Sequence, residues 1–384
     1  MIDSFTPELS SRLNGVGEYY FSKKLREIDI MRSNGKSIIS LGIGSPDMPP
    51  HPSVIERLMA EAAKPFVHGY QSYRGAVELR EAFARWYDRK FGVKIDPATQ
   101  IMPLIGSKEG IMHIAMTYLN AGDKVLVPNP GYPTYTSAVT LASGVAVKYT
   151  LEEENNYLPV LESIDTQGVK MMIINYPHMP TGAVATIDDL RKIVDFCRAN
   201  SILLLNDNPY GFIRNPKPIS LLQVDGALDV AMELNSLSKS HNMAGWRVGM
   251  LAAAKERVDE ILRFKSNMDS GMFLPVQLAA ATALELGDEW YQMQNREYFE
   301  RESLGKAIFD TLGVEYIDNQ AGLFLWGRLP EGRNCYEFCD ELLYNKGVFL
   351  TPGGVFGSAG ERYVRLSLCA PQSVLKSVLE LVKL

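Results

Sequence analysis

The stretch Ile-Leu-Leu-Leu-Asn-Asp-Asn-Pro-Tyr at residues 202–210 decides the fold class of this chain. Its first four residues are continuously apolar, which indicates a strand that is buried on both faces of a sheet. Similar short apolar runs occupy residues 101–105, 124–127 and 169–174. Helix-period segments separate these runs, and such alternation predicts an α/β fold with a sheet flanked by helices.

The helix signals lie between the apolar runs. Residues 53–56 (Ser-Val-Ile-Glu) read as a capping box that opens a helix towards Lys64. Residues 75–91 form a charged amphipathic pattern, and Gly92 is expected to end it. Thr186 is expected to cap a further amphipathic helix.

A chain of 384 residues exceeds the usual size of a single core, so a large domain and a smaller one are expected. The pattern changes after about residue 280: one long helical stretch at 277–312 precedes strand-like segments such as 363–368. We therefore predict an N-terminal arm over 1–45, a large domain over 46–280 and a small α+β domain over 281–384.

Composition excludes several classes of protein. Hydrophobic residues make up 46% and the formal net charge is -6, which argues against nucleic acid or an anionic membrane as the main partner. No secretory signal is visible at the start of the chain, and four cysteines do not suggest a disulfide framework. Cys335 and Cys339 could share a helix face, but no further ligands are spaced to complete a metal site. We expect no metal and a cytoplasmic location.

Two neighbouring strings carry chemistry: Asn-Ser-Leu-Ser-Lys at 235–239 and Gly-Trp-Arg-Val-Gly at 245–249. Lys239 can form a Schiff base with an aldehyde, while the serines and Arg247 can bind a phosphate dianion. A second phosphate signal is Gly-Ser-Lys at 106–108, placed between a predicted strand and a predicted helix, where backbone N–H groups favour anions.

These strings resemble the active-site lysine segment of class I/II aminotransferases, the fold-type I pyridoxal-phosphate enzymes, and further matches run from Leu41 to Leu368. The resemblance implies a three-layer α/β/α large domain with a mostly parallel sheet, plus the smaller α+β domain. It also implies transfer of an amino group from an L-amino acid to a 2-oxo acid through a Schiff base on Lys239.

The resemblance also assigns roles to individual residues. Lys239, Asp207 and Tyr210 are the expected catalytic residues: Asp207 would pair with the pyridinium nitrogen and Tyr210 would reach the phenolic oxygen. Tyr132, in the proline-stiffened turn at 128–133, would stack on the ring. The expected cofactor-binding set is Gly106, Ser107, Lys108, Tyr132, Asn175, Asp207, Tyr210, Ser236, Ser238, Lys239 and Arg247.

Substrate and partner contacts follow from three further matches. Arg365 has apolar neighbours on both sides, and a buried arginine needs an anionic partner. The resemblance gives Arg365 the substrate α-carboxylate and lets the backbone of Gly44 contact the same group. It also implies a homodimer, in which Tyr70 reaches the phosphate in the neighbouring active site.

The turn at 175–182 departs from the family pattern. The family usually has a second asparagine there, whose amide donates to the phenolic oxygen, and this chain has Met179. A thioether donates no hydrogen bond, so we predict a higher pKa for the imine than in relatives with asparagine. His178 is a possible substitute donor, but we leave it outside the expected site.

Competing functions remain at this stage. A β-lyase of the same fold, of the C–S lyase type, would use the same residues. A nucleotide-dependent oxidoreductase is weakly suggested by Gly42 and Gly44, although Asp47 occupies the third glycine position of that motif. A catalytically silent binding domain is disfavoured by the joint presence of the site residues. Residues 268–274 lack an arginine, which favours an apolar or neutral substrate side chain.

Overall fold

The computed structural model describes residues 7–383. Within that range the strands are β1 Ile39–Ser40, β2 Ile101–Leu104, β3 Lys124–Asn129, β4 Val145–Thr150, β5 Val169–Ile174, β6 Leu203–Asp207, β7 Ala231–Ser236, β8 Gly249–Ala252, β9 Glu315–Tyr316, β10 Phe324–Arg328, β11 Val348–Phe349, β12 Thr351–Pro352 and β13 Tyr363–Ser367. The α-helices are α1 Tyr20–Ser33, α2 Pro52–Ala62, α3 Val77–Phe91, α4 Ser107–Tyr118, α5 Pro133–Leu141, α6 Ile187–Ala199, α7 Ala227–Val230, α8 Leu237–Ser240, α9 Lys255–Lys265, α10 Leu274–Leu284, α11 Asp288–Leu312, α12 Cys335–Lys346 and α13 Gln372–Lys383.

The central sheet has seven strands in the order β2-β8-β7-β6-β5-β3-β4. The pairs between β7, β6, β5, β3 and β4 are parallel, and β8 runs antiparallel to both of its neighbours. Helices cover this sheet, so the predicted α/β fold with a mostly parallel sheet is confirmed. No helix in residues 7–383 combines the length and apolarity that crossing a membrane requires.

The sheet is buried on both faces, as its continuously apolar strands predict. Leu204 and Leu205 are both 0% exposed, yet they belong to two different clusters of the core. Met172 and Met171 on β5 alternate in the same way. Burying each such side chain contributes about 1.5–3 kcal/mol relative to exposure, so burial on both faces fixes the position of β6 within the sheet.

Three neighbouring parallel strands end at one edge of this sheet. β5 stops at Ile174, β6 at Asp207 and β7 at Ser236. Asp207 pairs with Leu234 in the register, which aligns the end of β6 with the end of β7. Carboxyl ends of parallel strands open onto the crevice where α/β proteins bind ligands, so this edge positions the site.

A second sheet, β12-β13-β10-β9, is antiparallel and carries Arg365 opposite Trp326 and Thr351. The short strand β1 pairs in parallel with β11. The N-terminal segment thus lies beside the C-terminal third of the chain. The domain boundaries at residues 45 and 280 stay a prediction.

Several helices begin or end at residues other than those predicted. The helix expected to open at residues 53–56 begins at Pro52 and is capped by His51, whose Nδ1 accepts from the Ser53 N–H; proline at the first position fixes that start. The long helical stretch at 277–312 is two helices, α10 and α11. Gly92 in the left-handed region and the capping box of Thr186 confirm the other two helix predictions.

Candidate active site

A cavity of ≈ 510 Å³ opens at the carboxyl ends of the central strands. It brings together most of the residues that the sequence selects: Gly44, Ser107, Lys108, Tyr132, Asn175, Asp207, Tyr210, Ser236, Ser238, Lys239, Arg247 and Arg365. Gly106 lies directly behind this lining against Arg247, and Tyr70 lies outside it. Segments from residue 44 to residue 365 therefore converge on one site.

Lys239 lies on the short helix α8, which follows β7 immediately. Its Nζ donates to the carbonyl oxygen of Gly44 at 2.6 Å. Burial lowers the pKa of the Lys239 amine below its usual range, because an ammonium ion is costly in a poorly solvated cavity. A larger neutral fraction makes the amine a better nucleophile and base.

Asp207 is held by a residue that the sequence reasoning missed. Tyr135 Oη donates to Asp207 Oδ2 at 2.9 Å, and both side chains are buried. Burial raises the pKa of Asp207 to about 7, and the Tyr135 hydrogen bond opposes that rise. Asp207 Oδ1 is buried without a hydrogen-bond partner among the described residues. One carboxylate oxygen is thus free to accept from a ligand.

Glycine, serine and arginine residues from three segments of the chain form what we call the serine–arginine cluster, comprising Gly106, Ser107, Ser236, Ser238 and Arg247. Helix α4 begins at Ser107, so its free N–H groups face the cluster. Ser236 Oγ donates to Ser238 Oγ at 2.9 Å. Gly106 has φ 80°, and a Cβ there would overlap the Arg247 guanidinium. The cluster has the donors that a phosphate dianion requires.

These features fit pyridoxal phosphate. The serine–arginine cluster offers a phosphate site, and the free Oδ1 of Asp207 offers an acceptor for a ring N–H. Tyr132 lines the same cavity and presents an aromatic ring, while Lys239 supplies an amine for an aldehyde. The residues required by phosphate, ring and aldehyde therefore lie in one cavity.

A second region of the site, which we call the Arg365 cage, comprises Arg365 and the residues around it: Gly42, Met179, Phe324 and Phe356. Its guanidinium carbon is 3.8 Å from the Phe324 ring centroid and 4.6 Å from that of Phe356. Its Nη2 donates to Gly42 O at 2.7 Å, and Nη1 is 3.3 Å from Met179 Sδ. No carboxylate within residues 7–383 pairs with Arg365, and its Nε has no hydrogen-bond partner there.

Burial lowers the pKa of Arg365 to about 10, so the group remains a cation at neutral pH. Aromatic faces stabilise that cation, but they do not replace a charged hydrogen-bond partner. A buried guanidinium with free N–H groups that face a cavity is a binding site for a carboxylate.

The turn at 175–182 connects the two halves of the site. Asn175 Nδ2 donates to Asp207 O, and Asn175 Oδ1 accepts from the Met179 N–H at 2.8 Å. Both amide atoms of Asn175 are thus used to hold backbone. His178 is buried outside the cavity lining, with Nδ1 2.8 Å from Thr181 Oγ1, and burial lowers its pKa to about 3.

Sequence reasoning also missed the contribution of α1. Phe21, Ser22 and Leu25 of α1, with Tyr19 just before it, line the cavity beside Lys108, whose Nζ is 5.2 Å from the Tyr19 ring centroid. Helix α1 buries only Phe21, Ile28 and Met31, and so narrow an apolar face gives a weak sequence signal. Its role depends on where the tertiary structure places it.

One group of possible metal ligands exists among the described residues: Glu109, His113 and Asp269, within 4.8 Å of one another. Lys265 Nζ already pairs with Asp269 at 2.6 Å, which places a cation beside the group. Cys335 and Cys339 are buried free thiols, and neither belongs to this group. The expectation of no metal stays a prediction.

The fold and the site together define a fold-type I enzyme that uses pyridoxal phosphate. The family model for aminotransferase class I and II matches residues 36–382. The chain is 39% identical to an LL-diaminopimelate aminotransferase from Aquifex aeolicus, over 98% of each chain. It therefore belongs to the class I and II aminotransferase family, whose members use pyridoxal phosphate.

Solved structures agree with this family. Substrate-bound BacF from Bacillus subtilis superposes with a TM-score of 0.95 at 34% identity, over 98% of each chain. A probable N-succinyldiaminopimelate aminotransferase from Thermus thermophilus gives 0.87 at 32% identity, covering 94% of this chain and 98% of that one. The protein is an aminotransferase, and these relatives do not favour the β-lyase or the oxidoreductase.

Proposed function

We propose that Lys239 carries the cofactor and moves the proton in an amino-group transfer whose substrates bind to Arg365. The observation that carries this proposal is the buried guanidinium of Arg365, which has no carboxylate partner among the described residues and lies in the same cavity as Lys239 and Asp207. The free Arg365 N–H groups hold the α-carboxylate of an amino acid or 2-oxo acid. That carboxylate orients the substrate amine and Cα towards Lys239.

Pyridoxal phosphate, when bound, supplies an aldehyde for the amine and a ring that withdraws electrons from Cα. Lys239 Nζ takes the Cα proton as general base, and its lowered pKa keeps part of the amine neutral for that task. Asp207 Oδ1, which has no partner within the described residues, would accept from a ring N–H of the bound cofactor, while Tyr135 holds Oδ2. Tyr210 and Tyr132 both line the cavity, where Tyr210 would contact the phenolic oxygen of the cofactor and Tyr132 would stack on its ring.

Replacing the lysine tests these roles. Lys239→Ala is expected to bind the cofactor without the visible band of a lysine-linked form and to lose transamination. Lys239→Arg keeps the positive charge but forms no stable link to an aldehyde, so it serves as the control for charge. A Lys239→Ala enzyme with the unchanged band would refute the assignment.

For the substrate, we propose an amino acid with a second carboxylate on its side chain, of the diaminopimelate type named in the relatives. The charged side chains of the cavity are Lys108, Asp207, Lys239, Arg247 and Arg365. Four of them have proposed roles, which leaves the exposed amine of Lys108 beside Tyr19 for a distal carboxylate. Relatives from Aquifex aeolicus and Halothermothrix orenii are LL-diaminopimelate aminotransferases, which supports this substrate class.

An amino-donor screen tests the substrate class. With 2-oxoglutarate or pyruvate as acceptor, LL-diaminopimelate is compared with L-phenylalanine and L-norleucine. Lys108→Met is expected to weaken kcat/KM for the dicarboxylic donor roughly tenfold, the effect of one charged hydrogen bond, and to leave the others within about twofold. Lys108→Arg is the charge-conserving control.

The aromatic lining favours a second candidate, an amino acid with a large apolar side chain. Tyr19, Phe21 and Leu25 give one side of the cavity an apolar surface. Preferred use of L-phenylalanine, with no change in Lys108→Met, would establish this candidate and reject the dicarboxylic one.

We also propose a homodimer in which Tyr70 completes the neighbouring active site. Tyr70 is 92% exposed and Phe66 97% exposed, so both rings are available to a second copy. Mixed dimers of Tyr70→Ala and Lys239→Ala, each inactive alone, contain one intact site and should regain activity. Hybrids without activity would reject the shared site.

Two further proposals concern organisation. The four free cysteines fit a reducing compartment, which supports the cytoplasm as the location. The arm over 1–45, the large domain over 46–280 and the small domain over 281–384 are proposed as the units of the chain. Limited proteolysis near residues 45 and 280 would test the boundaries.

A further inference from the structure

A short loop, residues 42–47, contacts both of the cations that the proposed reaction uses. Gly42 O accepts from Arg365 Nη2 at 2.7 Å, and Gly44 O accepts from Lys239 Nζ at 2.6 Å. Ile43 O, between them, accepts from Ser367 Oγ at 2.7 Å. Since three successive carbonyl groups are engaged, a shift of this loop would displace Lys239 and Arg365 together.

The far end of the 42–47 loop is anchored by a single arginine. Arg301 on α11 binds both carboxylate oxygens of Asp47, with Nη1 2.6 Å from Oδ1 and Nη2 3.0 Å from Oδ2. Arg301 Nη1 also donates to Leu368 O at 3.0 Å, and its Nε to Glu297 Oε1 at 2.8 Å. Leu368 directly follows the strand that carries Arg365.

The Asp47–Arg301 ion pair is more buried than an ordinary surface ion pair, and it is held by two hydrogen bonds. The Arg301 side chain is 3% exposed and that of Asp47 is 25% exposed. The guanidinium is planar and binds the carboxylate as a fork, so it fixes direction as well as distance. Neither residue lines the cavity, and neither can touch a substrate there.

We propose that Asp47 and Arg301 are positioning residues, which hold the 42–47 loop so that Gly42 and Gly44 keep Arg365 and Lys239 in register. This inference rests on the roles proposed for Lys239 and Arg365. A displacement of about 1 Å between reacting groups can lower a rate roughly 100-fold, so a remote anchor of this kind matters to catalysis.

Three variants test the pair: Asp47→Asn, Arg301→Met and Arg301→Lys. Rates are expressed per active site, titrated by the absorbance of bound cofactor. Asp47→Asn and Arg301→Met are each expected to lower kcat/KM roughly 10- to 100-fold, with kcat falling and the donor KM rising together. Arg301→Lys restores part of the loss, and the double variant is no worse than Arg301→Met alone, because both act through one contact.

The matched control is Arg257→Met. Arg257 also donates to two backbone carbonyls, those of Leu228 and Asp229, but it does not line the cavity or touch the 42–47 loop. The Arg257→Met substitution should lower the free energy of unfolding while leaving kcat and KM per active site within about twofold of the wild type.

The outcomes separate this inference from the proposed function. If Lys239→Ala loses the visible band while the Asp47 and Arg301 variants keep wild-type kcat and KM per site, the positioning role is wrong and the proposed function stands. If Lys239→Ala keeps the band, the proposed function itself fails. Additive losses of kcat/KM in the double variant would also overturn the proposal that Asp47 and Arg301 act through one contact.

Discussion

The serine–arginine cluster and the Arg365 cage are two regions of one cavity that differ in how far apart in the chain their contacting residues lie. In the first, Ser236 and Ser238 bond to each other two residues apart, and Ser236 reaches Val248 O twelve residues on. In the second, Arg365 contacts Met179 across 186 residues and Gly42 across 323. The first region combines a local serine pair with Gly106 and Ser107, which tertiary packing brings against Arg247 and Asn235, whereas long-range contacts build the whole of the second.

The two regions also differ in how they satisfy charge. The serine–arginine cluster surrounds its ligand position with backbone N–H groups, hydroxyls and one arginine, all of which are polar. The Arg365 cage surrounds a cation with phenylalanine rings and a thioether. A phosphate therefore meets many donors, whereas a carboxylate meets one strong donor in apolar surroundings, where a single charged bond counts for more.

The largest expected effect comes from the Arg365 cage. Arg365→Met should lower kcat/KM for the amino donor roughly 100- to 1,000-fold, since truncating a buried charge partner costs about 2–5 kcal/mol. Cofactor absorbance should be unchanged, because the serine–arginine cluster is intact. Steady-state kinetics and a cofactor titration measure the two quantities. Equal loss of cofactor binding would break the separation between the regions.

Arg365→Lys is the companion variant. A lysine keeps the charge but lacks the planar fork, so it should recover only a small part of the lost kcat/KM. Full recovery would mean that charge alone, rather than fork geometry, binds the carboxylate.

Gly106→Ala should damage the serine–arginine cluster instead. An alanine would be strained at φ 80° and would push against Arg247, so the free energy of unfolding should fall by about 1–3 kcal/mol. The cofactor dissociation constant should rise roughly tenfold as Arg247 moves. Gly245→Ala is the control, since a Cβ there has nothing within 4 Å. Equal effects at the two glycines would contradict the close approach.

Tyr135→Phe should have a smaller effect, expressed as pH dependence. Tyr135 stabilises ionised Asp207, whose pKa burial raises to about 7, so its removal should raise that pKa further. The acidic limb of kcat/KM should move to higher pH, with about a tenfold loss near neutrality. Tyr132→Phe removes a hydroxyl from the same cavity without touching Asp207, and its profile should stay in place. A shift to lower pH in Tyr135→Phe would refute the assignment.

Met179→Asn should have the smallest effect and links the two regions. An amide at this position can donate where a thioether cannot, so the pH at which the visible band of the bound cofactor changes should fall. The amide would also meet Arg365 Nη1, which is 3.3 Å from the present sulfur, and change donor KM by less than about tenfold. Met179→Leu offers no donor and should titrate like the wild type; identical titrations of all three would reject the prediction.

Several strands of the seven-stranded sheet could be predicted from the sequence because each apolar run forms a strand. Residues 169–174 form β5 as predicted, whereas the strand predicted at 202–205 begins one residue later, at Leu203, and extends two residues further, to Asp207. The predicted helix over 277–312 was wrong in one respect, since it breaks between α10 and α11. Short-range patterns specify each element, but they state nothing about where one element meets another.

The sequence by itself determined which groups can do chemistry: a lysine among hydroxyls, an aspartate that ends a buried strand, and an arginine among apolar neighbours. Only the tertiary structure decided that Tyr135 holds Asp207, that α1 lines the cavity and that Arg301 anchors the 42–47 loop. The physical reason is range. Strand and helix periodicity acts over a few residues, whereas these contacts join segments that become neighbours only when the sheet, the helices and the C-terminal strands pack together.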